Sequence, residues 1–350
     1  MLHLAIAQLK PRKGAYAENL ARLGALFREL AGKPEPPELL ILPETALTGY
    51  FVEGAVRELA RSAEAFHADL SAVHAASGAP PMDIIVGFFE LWRTRLHNSA
   101  LAATLGGSEA GIRHVHRKVF LPTYGVFDEE RFVEPGRSVQ AFDTRWGRAA
   151  VIICEDAWHS LVPTIAALDG AELIAIVSAS PARGITPVTD DGNASRPASL
   201  ARWERTAQGI AGEHGVYVAL AQLVGFEGGK GFPGGSLIVD PRGDVLARAP
   251  VFEEHLLEVT VDLGEIPRVR ADMPLLSDLE VRLPHLLQEL EGRKANGRED
   301  GRLEGAAIVP VIRPATHRAA LPPQPARLGA RADPLAIDPE LTRTIPRPRG

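Results

Sequence analysis

The sequence predicts an α/β protein whose sheets are covered by helices, and three observations carry that expectation. Apolar runs of strand length alternate along the chain with longer helical segments. Of the 350 residues, 45% are apolar, enough to fill a sizeable core and to exclude a wholly disordered chain. Turn chemistry sits between the late apolar runs, where the chain must reverse.

Taken in order, residues 2–9 read as an amphipathic opening strand without the basic flank of a secretory signal. A helix is expected over 15–31 and a strand over 39–42, followed at once by Pro43. Residues 54–77 read as one long helix, and 83–90, 98–105 and 112–116 as strands. The run 148–153 is continuously apolar toward its end, as a strand buried on both faces would be, and 172–177 and 216–221 repeat that pattern. Helices over 161–169 and 198–214 separate these three strands. Residues 236–239, 245–249 and 256–261 read as hairpin strands. Their turn is Asp240-Pro-Arg-Gly-Asp244, where proline fixes φ and glycine accepts φ > 0. Residues 225–235 hold six glycines but lack the Lys-Ser/Thr ending of a phosphate loop, so a flexible loop is expected there.

The charge balance, 38 Lys+Arg against 44 Asp+Glu for a net of -6, offers nothing global to nucleic acid or to an anionic membrane. No stretch of about 18 apolar residues occurs, so a soluble, cytoplasmic protein acting on a small molecule is expected. The single cysteine, Cys154, excludes an internal disulfide and fits a reducing compartment. Composition shifts near residue 292: residues 293–350 hold 9 prolines and a net charge of +5, against -11 for the body. A Pro/Arg-rich tail, disordered alone or packed on a partner subunit, is expected. The domain division expected is 1–283 for the body and 284–350 for the extension.

Three reactive side chains, Glu44, Lys118 and Cys154, each lie just beyond an apolar strand, where α/β folds build their sites. Their chemistry is complementary. A thiol of pKa about 8.5 is little ionised at neutral pH. A carboxylate can take its proton, while an ammonium steadies charge developing on a substrate oxygen or nitrogen. Each residue alone has an ordinary reading as buried filler or solvated strand end.

The surrounding residues resemble a known family. Pro43-Glu44-Thr-Ala-Leu-Thr-Gly-Tyr50, Arg117-Lys118-Val-Phe-Leu-Pro-Thr-Tyr-Gly-Val-Phe-Asp-Glu129-Glu-Arg131-Phe and Ile153-Cys154-Glu-Asp156-Ala-Trp158 are similar to the three signature blocks of the nitrilase, or carbon-nitrogen hydrolase, superfamily. The resemblance extends over residues 1–283. It implies a four-layer αββα sandwich that needs no cofactor and forms a homodimer or larger homo-oligomer. It also implies Cys154 as nucleophile, Glu44 as general base and later acid, Lys118 as stabiliser of the tetrahedral intermediate, and Glu129 as a second carboxylate. Glu155 would contribute its backbone N–H. Within the superfamily the blocks most resemble the glutaminase domain of glutamine-dependent NAD synthetases. The Ser-Gly-Gly-x-Asp-Ser loop of the synthetase half has no counterpart, which implies a free-standing amidase that releases its ammonia. A nitrilase, an N-carbamoyl-amide hydrolase and an acyl transferase share the same triad, and a non-catalytic scaffold is the alternative of another class.

Tyr124, Phe127 and Trp158 flank the reactive blocks and are expected to line the substrate pocket. Arg183, in a loop after the strand that follows Cys154, is expected to grip a substrate carboxylate, against the ordinary reading of an exposed loop arginine. His114 and His116 share a strand face as two metal ligands do. No third ligand lies nearby in sequence, and no metal is expected. A Ser/His/Asp hydrolase is disfavoured because no Gly-x-Ser-x-Gly elbow is present.

Overall fold

Two six-stranded mixed sheets lie face to face in the computed structural model, which describes residues 1–184 and 197–299. The strands are β1 (Leu2–Gln8), β2 (Leu39–Ile41), β3 (Met82–Trp92), β4 (Arg95–Leu105), β5 (Gly111–Arg117), β6 (Ala141–Thr144) and β7 (Gly147–Ile153). They continue as β8 (Leu173–Ser178), β9 (Tyr217–Gln222), β10 (Val224–Glu227), β11 (Lys230–Pro233), β12 (Leu237–Val239), β13 (Val245–Arg248) and β14 (His255–Val261). The first sheet has the order β14-β1-β2-β3-β4-β5, the second β13-β12-β9-β8-β7-β6. In each, three parallel strands fill the middle and antiparallel strands close the edges.

Period-2 alternation assigns side chains to layers. Leu2, Leu4 and Ile6 of β1, with Leu39 and Ile41 of β2, face the second sheet and join one buried cluster with its strands, Val151, Ile152 and Ile174 among them. The intervening Ala5, Ala7 and Leu40 pack outward against helices α1 (Tyr16–Ala31) and α3 (Ala63–Ala75), through Leu23, Phe27, Phe66 and Leu70. The outer face of the second sheet is covered by α4 (Leu161–Leu168) and α5 (Ala198–His214), which contribute Val162, Ala166, Trp203 and Ile210. The result is the expected αββα sandwich. Each fully buried Leu or Ile in it contributes about 1.5–3 kcal/mol.

The expected strands all form, and the 240–244 turn joins β12 to β13, with Asp240 Oδ1 accepting from the backbone N–H of Arg242 and Asp244. Two expectations are corrected. The single helix over 54–77 is instead a short helix α2 (Val56–Leu59) and α3, parted because Ala60 is extended and Ser62 caps the new start by accepting from Ala65 N. The glycine-rich segment is not a flexible loop: β10 and β11 pair as an antiparallel hairpin, with Gly228 and Gly229 at positive φ in its turn. Beyond β14, α6 (Ile266–Asp272) leads into α7 (Leu275–Glu299), which carries Pro284 and crosses the 283/284 division. Met1–Gly297 form one compact unit, and residues 300–350, to which most of the tail expectation applies, lie outside the described residues. No helix among the described residues is long and apolar enough to cross a membrane.

Candidate active site

β2 and β5 run in the same direction in one sheet, and β7 and β8 are parallel in the other, so their C-terminal ends supply one rim. Glu44, Lys118 and Cys154 follow β2, β5 and β7 there, and all three are buried. Lys118 Nζ donates to Glu44 Oε1 at 2.8 Å and to Glu129 Oε1 at 2.7 Å. Asn98 Nδ2 donates to Glu44 Oε1 at 2.7 Å, and the backbone N–H of Ala179, just past β8, donates to Glu44 Oε2 at 2.8 Å. Tyr50 OH donates to Glu129 Oε1. One buried ammonium is thus clamped between two carboxylates that neutral donors hold in place.

Cys154 sits on a sharp turn from β7 into a one-turn 3-10 helix, Cys154–Trp158, with φ of 44°. A non-glycine residue held there stores on the order of 1–3 kcal/mol of strain, and such strain clusters at functional positions. The turn is held by Asp156, fully buried. Its Oδ2 accepts from Ile153 N at 3.1 Å and His116 Nε2 at 2.9 Å, and its Oδ1 from Val119 N at 3.0 Å and Phe120 N at 2.9 Å. Asp156 therefore ties the cysteine turn to the segment that follows Lys118. Ser178 Oγ donates to Cys154 Sγ at 3.4 Å.

The charges follow from burial. Desolvation, reinforced by the Glu44 charge, raises the Cys154 thiol, and the opposing pull of Lys118 does not offset it. At rest the Cys154 side chain is held as the neutral thiol. Burial also works against the charge on Lys118, but Glu129 and Glu44 outweigh it and hold the ammonium well above its ordinary value. Burial lifts Glu129 to about 7; Lys118 pulls it back and Glu44 pushes it further up.

Cys154 opens into a cavity of about 520 Å³. All five residues expected to meet substrate line it: Tyr124, Phe127, Glu155, Trp158 and Arg183. Tyr124 OH donates to Glu155 Oε2 at 2.7 Å; burial first, then that bond, raises the hydroxyl to about 12. The guanidinium of Arg183 lies 5.0 Å from the centroid of the Phe127 ring and that of Arg202 lies 4.6 Å from that of Trp158, and Arg205 completes a cationic wall. Arg183, Arg202 and Arg205 have no carboxylate partner among the described residues.

The His-x-His pair divides. His116 is bonded to Asp156, whereas His114 stacks on Phe142 at 5.1 Å and is driven by burial down to about 4. No cluster of three or more His, Cys, Asp or Glu suited to hold a metal occurs among the described residues. Sequence reasoning did not single out Asn98, Tyr50, Ser178, Arg202 or the bonding role of Asp156. The polar pair Asn98-Ser99 leading an apolar strand was the signal available for Asn98.

Comparison with known proteins gives four findings. Residues 3–271 match the family described as carbon-nitrogen hydrolase. The glutamine-dependent NAD(+) synthetase of Thermotoga maritima is 29% identical over 271 residues, covering 77% of this chain and 43% of that protein, so the chain spans less than half of that relative. A probable nitrilase of Schizosaccharomyces pombe is 26% identical over 299 residues, covering 82% of this chain and 98% of that one. Among solved structures, a carbon-nitrogen hydrolase from Helicobacter pylori superposes with a TM-score of 0.69 at 24% identity, covering 82% of this chain and 97% of that one, a likeness of fold.

Proposed function

The chain belongs to the carbon-nitrogen hydrolase family, and on that premise we propose that it hydrolyses a small-molecule amide through a thioester on Cys154, releasing ammonia or an amine. The observation that carries this reading is the buried Glu44–Lys118–Glu129 network beside a thiol that opens into a cavity.

In this reading Sγ of Cys154 attacks the amide carbon as its proton passes to Glu44. The raised thiol makes that transfer part of the attack rather than a prior ionisation. Lys118 Nζ and the backbone N–H of Glu155 stabilise the oxyanion. Glu44 then returns the proton to the departing nitrogen, and the C–N bond breaks to leave the thioester. Water attacks it, Glu44 takes the water's proton, and Sγ leaves as the thiol with that proton while the acid departs. Glu129 shares the charge of Lys118, so that Glu44 is not its sole counter-charge.

The cavity wall supports an amide that also bears a carboxylate, met by Arg183 and Arg202, while the Tyr124–Glu155 pair suits an ammonium. Glutamine combines all three groups, and it is named in the description of the Thermotoga relative. Self-association belongs to the same proposal, supported by Leu161 and Ile165, which α4 leaves exposed on the helical layer. A cytoplasmic setting, where a lone thiol stays reduced, belongs to it as well.

The test is ammonia release from glutamine, uncharged aliphatic amides, N-carbamoyl amino acids and nitriles, by wild type and Cys154→Ala. Release by wild type alone, fastest for carboxylate-bearing amides, supports the reading. Equal release by Cys154→Ala refutes it.

A further inference from the structure

The β10–β11 hairpin has no part in the reaction as derived so far, yet it carries a carboxylate into the back of the site. Glu227 is 4% exposed, and its Oε2 accepts from the backbone N–H of both Tyr50 and Phe51 at 2.9 Å. Its Oε1 has no hydrogen-bond partner among the described residues and lies against Gly49, where a Cβ would come within 2.7 Å. Phe232, on the opposite strand of the hairpin, packs against the rings of Tyr50 at 6.4 Å and Phe51 at 5.7 Å. Gly231 O also accepts from Ala182 N at 2.8 Å, which ties the hairpin to the loop whose Ala179 N–H holds Glu44.

A carboxylate spent on two backbone donors while its other oxygen goes unpaired is a costly way to secure a surface turn. What it secures is the segment that aims Tyr50 OH at Glu129, which in turn holds Lys118. We propose that Glu227 is a positioning residue for catalysis, fixing the Tyr50–Phe51 backbone so that the Tyr50 hydroxyl holds Glu129 against Lys118 and keeps Lys118 shared between its two carboxylates. The proposal rests on the amide-hydrolysis reading of the site.

The consequence has a sign. The Tyr50 bond lowers Glu129, against the burial that raises it. If Tyr50 moves, Glu129 protonates at higher pH, Lys118 is left to Glu44 alone, and the Glu44 carboxylate is engaged by the ammonium rather than by the Cys154 proton. The groups facing Glu129 are Lys118, Glu44 and Tyr50, and those acting on Glu227 are Lys13 and Lys230.

The experiment follows the alkylation of Cys154 by iodoacetamide against pH, read by intact mass, in wild type, Glu227→Leu, Glu227→Gln, Tyr50→Phe and the Glu227→Leu/Tyr50→Phe double variant. Cys154 is the only cysteine, so a single adduct reports it. This readout needs no turnover. Failure to hydrolyse any amide therefore counts against the proposed reaction, whereas the alkylation profiles decide the role of Glu227. Glu227→Leu and Tyr50→Phe are expected to move the acid limb of the profile up by about one pH unit and to slow alkylation below it by about tenfold. The double variant should match Tyr50→Phe, because both changes break one chain of contacts. Glu227→Gln, which keeps an acceptor for the two N–H groups, should stay within about twofold of wild type. Should Glu227→Leu not fold, Gly49→Ala, whose Cβ displaces Glu227, must reproduce the Tyr50→Phe shift. A lower thermal midpoint with an unmoved alkylation profile overturns the proposal, and so does a double variant whose shifts add.

Discussion

Replacing Glu44 by glutamine changes one atom type in the most enclosed part of the site, and its cost can be worked from three bonds. Oε1 accepts from Lys118 Nζ at 2.8 Å and Asn98 Nδ2 at 2.7 Å, and Oε2 from Ala179 N at 2.8 Å. A glutamine has one oxygen to offer. With that oxygen toward Lys118, its NH2 confronts the N–H of Ala179; reversed, it confronts both Lys118 and Asn98. Either arrangement strands at least one buried donor, at about 1–3 kcal/mol. An amide cannot take the proton from Sγ, and losing a positioned general base costs about 10²–10⁴ in rate, or about 2.7–5.4 kcal/mol at 1.36 kcal/mol per decade. Glu44 lies beneath the cavity rather than in its wall, so KM is expected to stay within about threefold. Glu44→Gln should therefore show kcat lower by about 10²–10⁴ and a thermal midpoint a few degrees lower, by steady-state ammonia release and thermal denaturation. A kcat within tenfold of wild type would refute the base assignment.

Other perturbations separate the parts of the network. Gly87→Ala would place a Cβ 2.5 Å from Glu44 Cα and 2.7 Å from Thr45 N; it should cut kcat by about tenfold or more through displacement of Glu44, with KM less affected. Glu129, lifted by burial to about 7, binds its proton more tightly folded than unfolded, so its contribution to stability is present below the usual carboxylate range and lost as pH rises through about 7. Urea denaturation midpoints of Glu129→Gln should accordingly fall less than those of wild type between about pH 4.5 and pH 7, and a parallel fall would contradict the assignment. Arg183→Ala or Arg202→Ala should raise KM for a carboxylate-bearing amide by about tenfold and leave KM for an uncharged amide unchanged, and an unchanged KM for both substrates removes the carboxylate clamp.

The residues legible in the sequence are those whose position local pattern dictates. Glu44, Lys118 and Cys154 each follow an apolar run long enough to be a buried strand, so their place just past strand ends could be read directly, whereas the burial of Glu44 and Lys118 could not, because a charged strand end is usually solvated. The break between α2 and α3 was less legible, since Ser62 as a cap is a weak signal inside an alanine-rich stretch with helical spacing. Tyr50, Asn98 and Glu227 were not legible as partners of the site. Tyr50 and Glu129 are 79 positions apart, and Tyr50 and Glu227 are 177 apart. Nothing in local spacing says which of many buried polar groups will meet once the two sheets close. The glycines of the β10–β11 segment misled in a specific way: the flexible-loop signal was the positive-φ turn of a hairpin whose strands carry Glu227 and Phe232 inward.

The account stands most directly on a covalent acyl group at the only cysteine. Protein mixed with a hydrolysed amide, quenched in acid during turnover and weighed intact should carry one acyl increment that hydroxylamine removes and that Cys154→Ala lacks. Turnover by Cys154→Ala at the wild-type rate, or an acyl group carried on a residue other than Cys154, would contradict it.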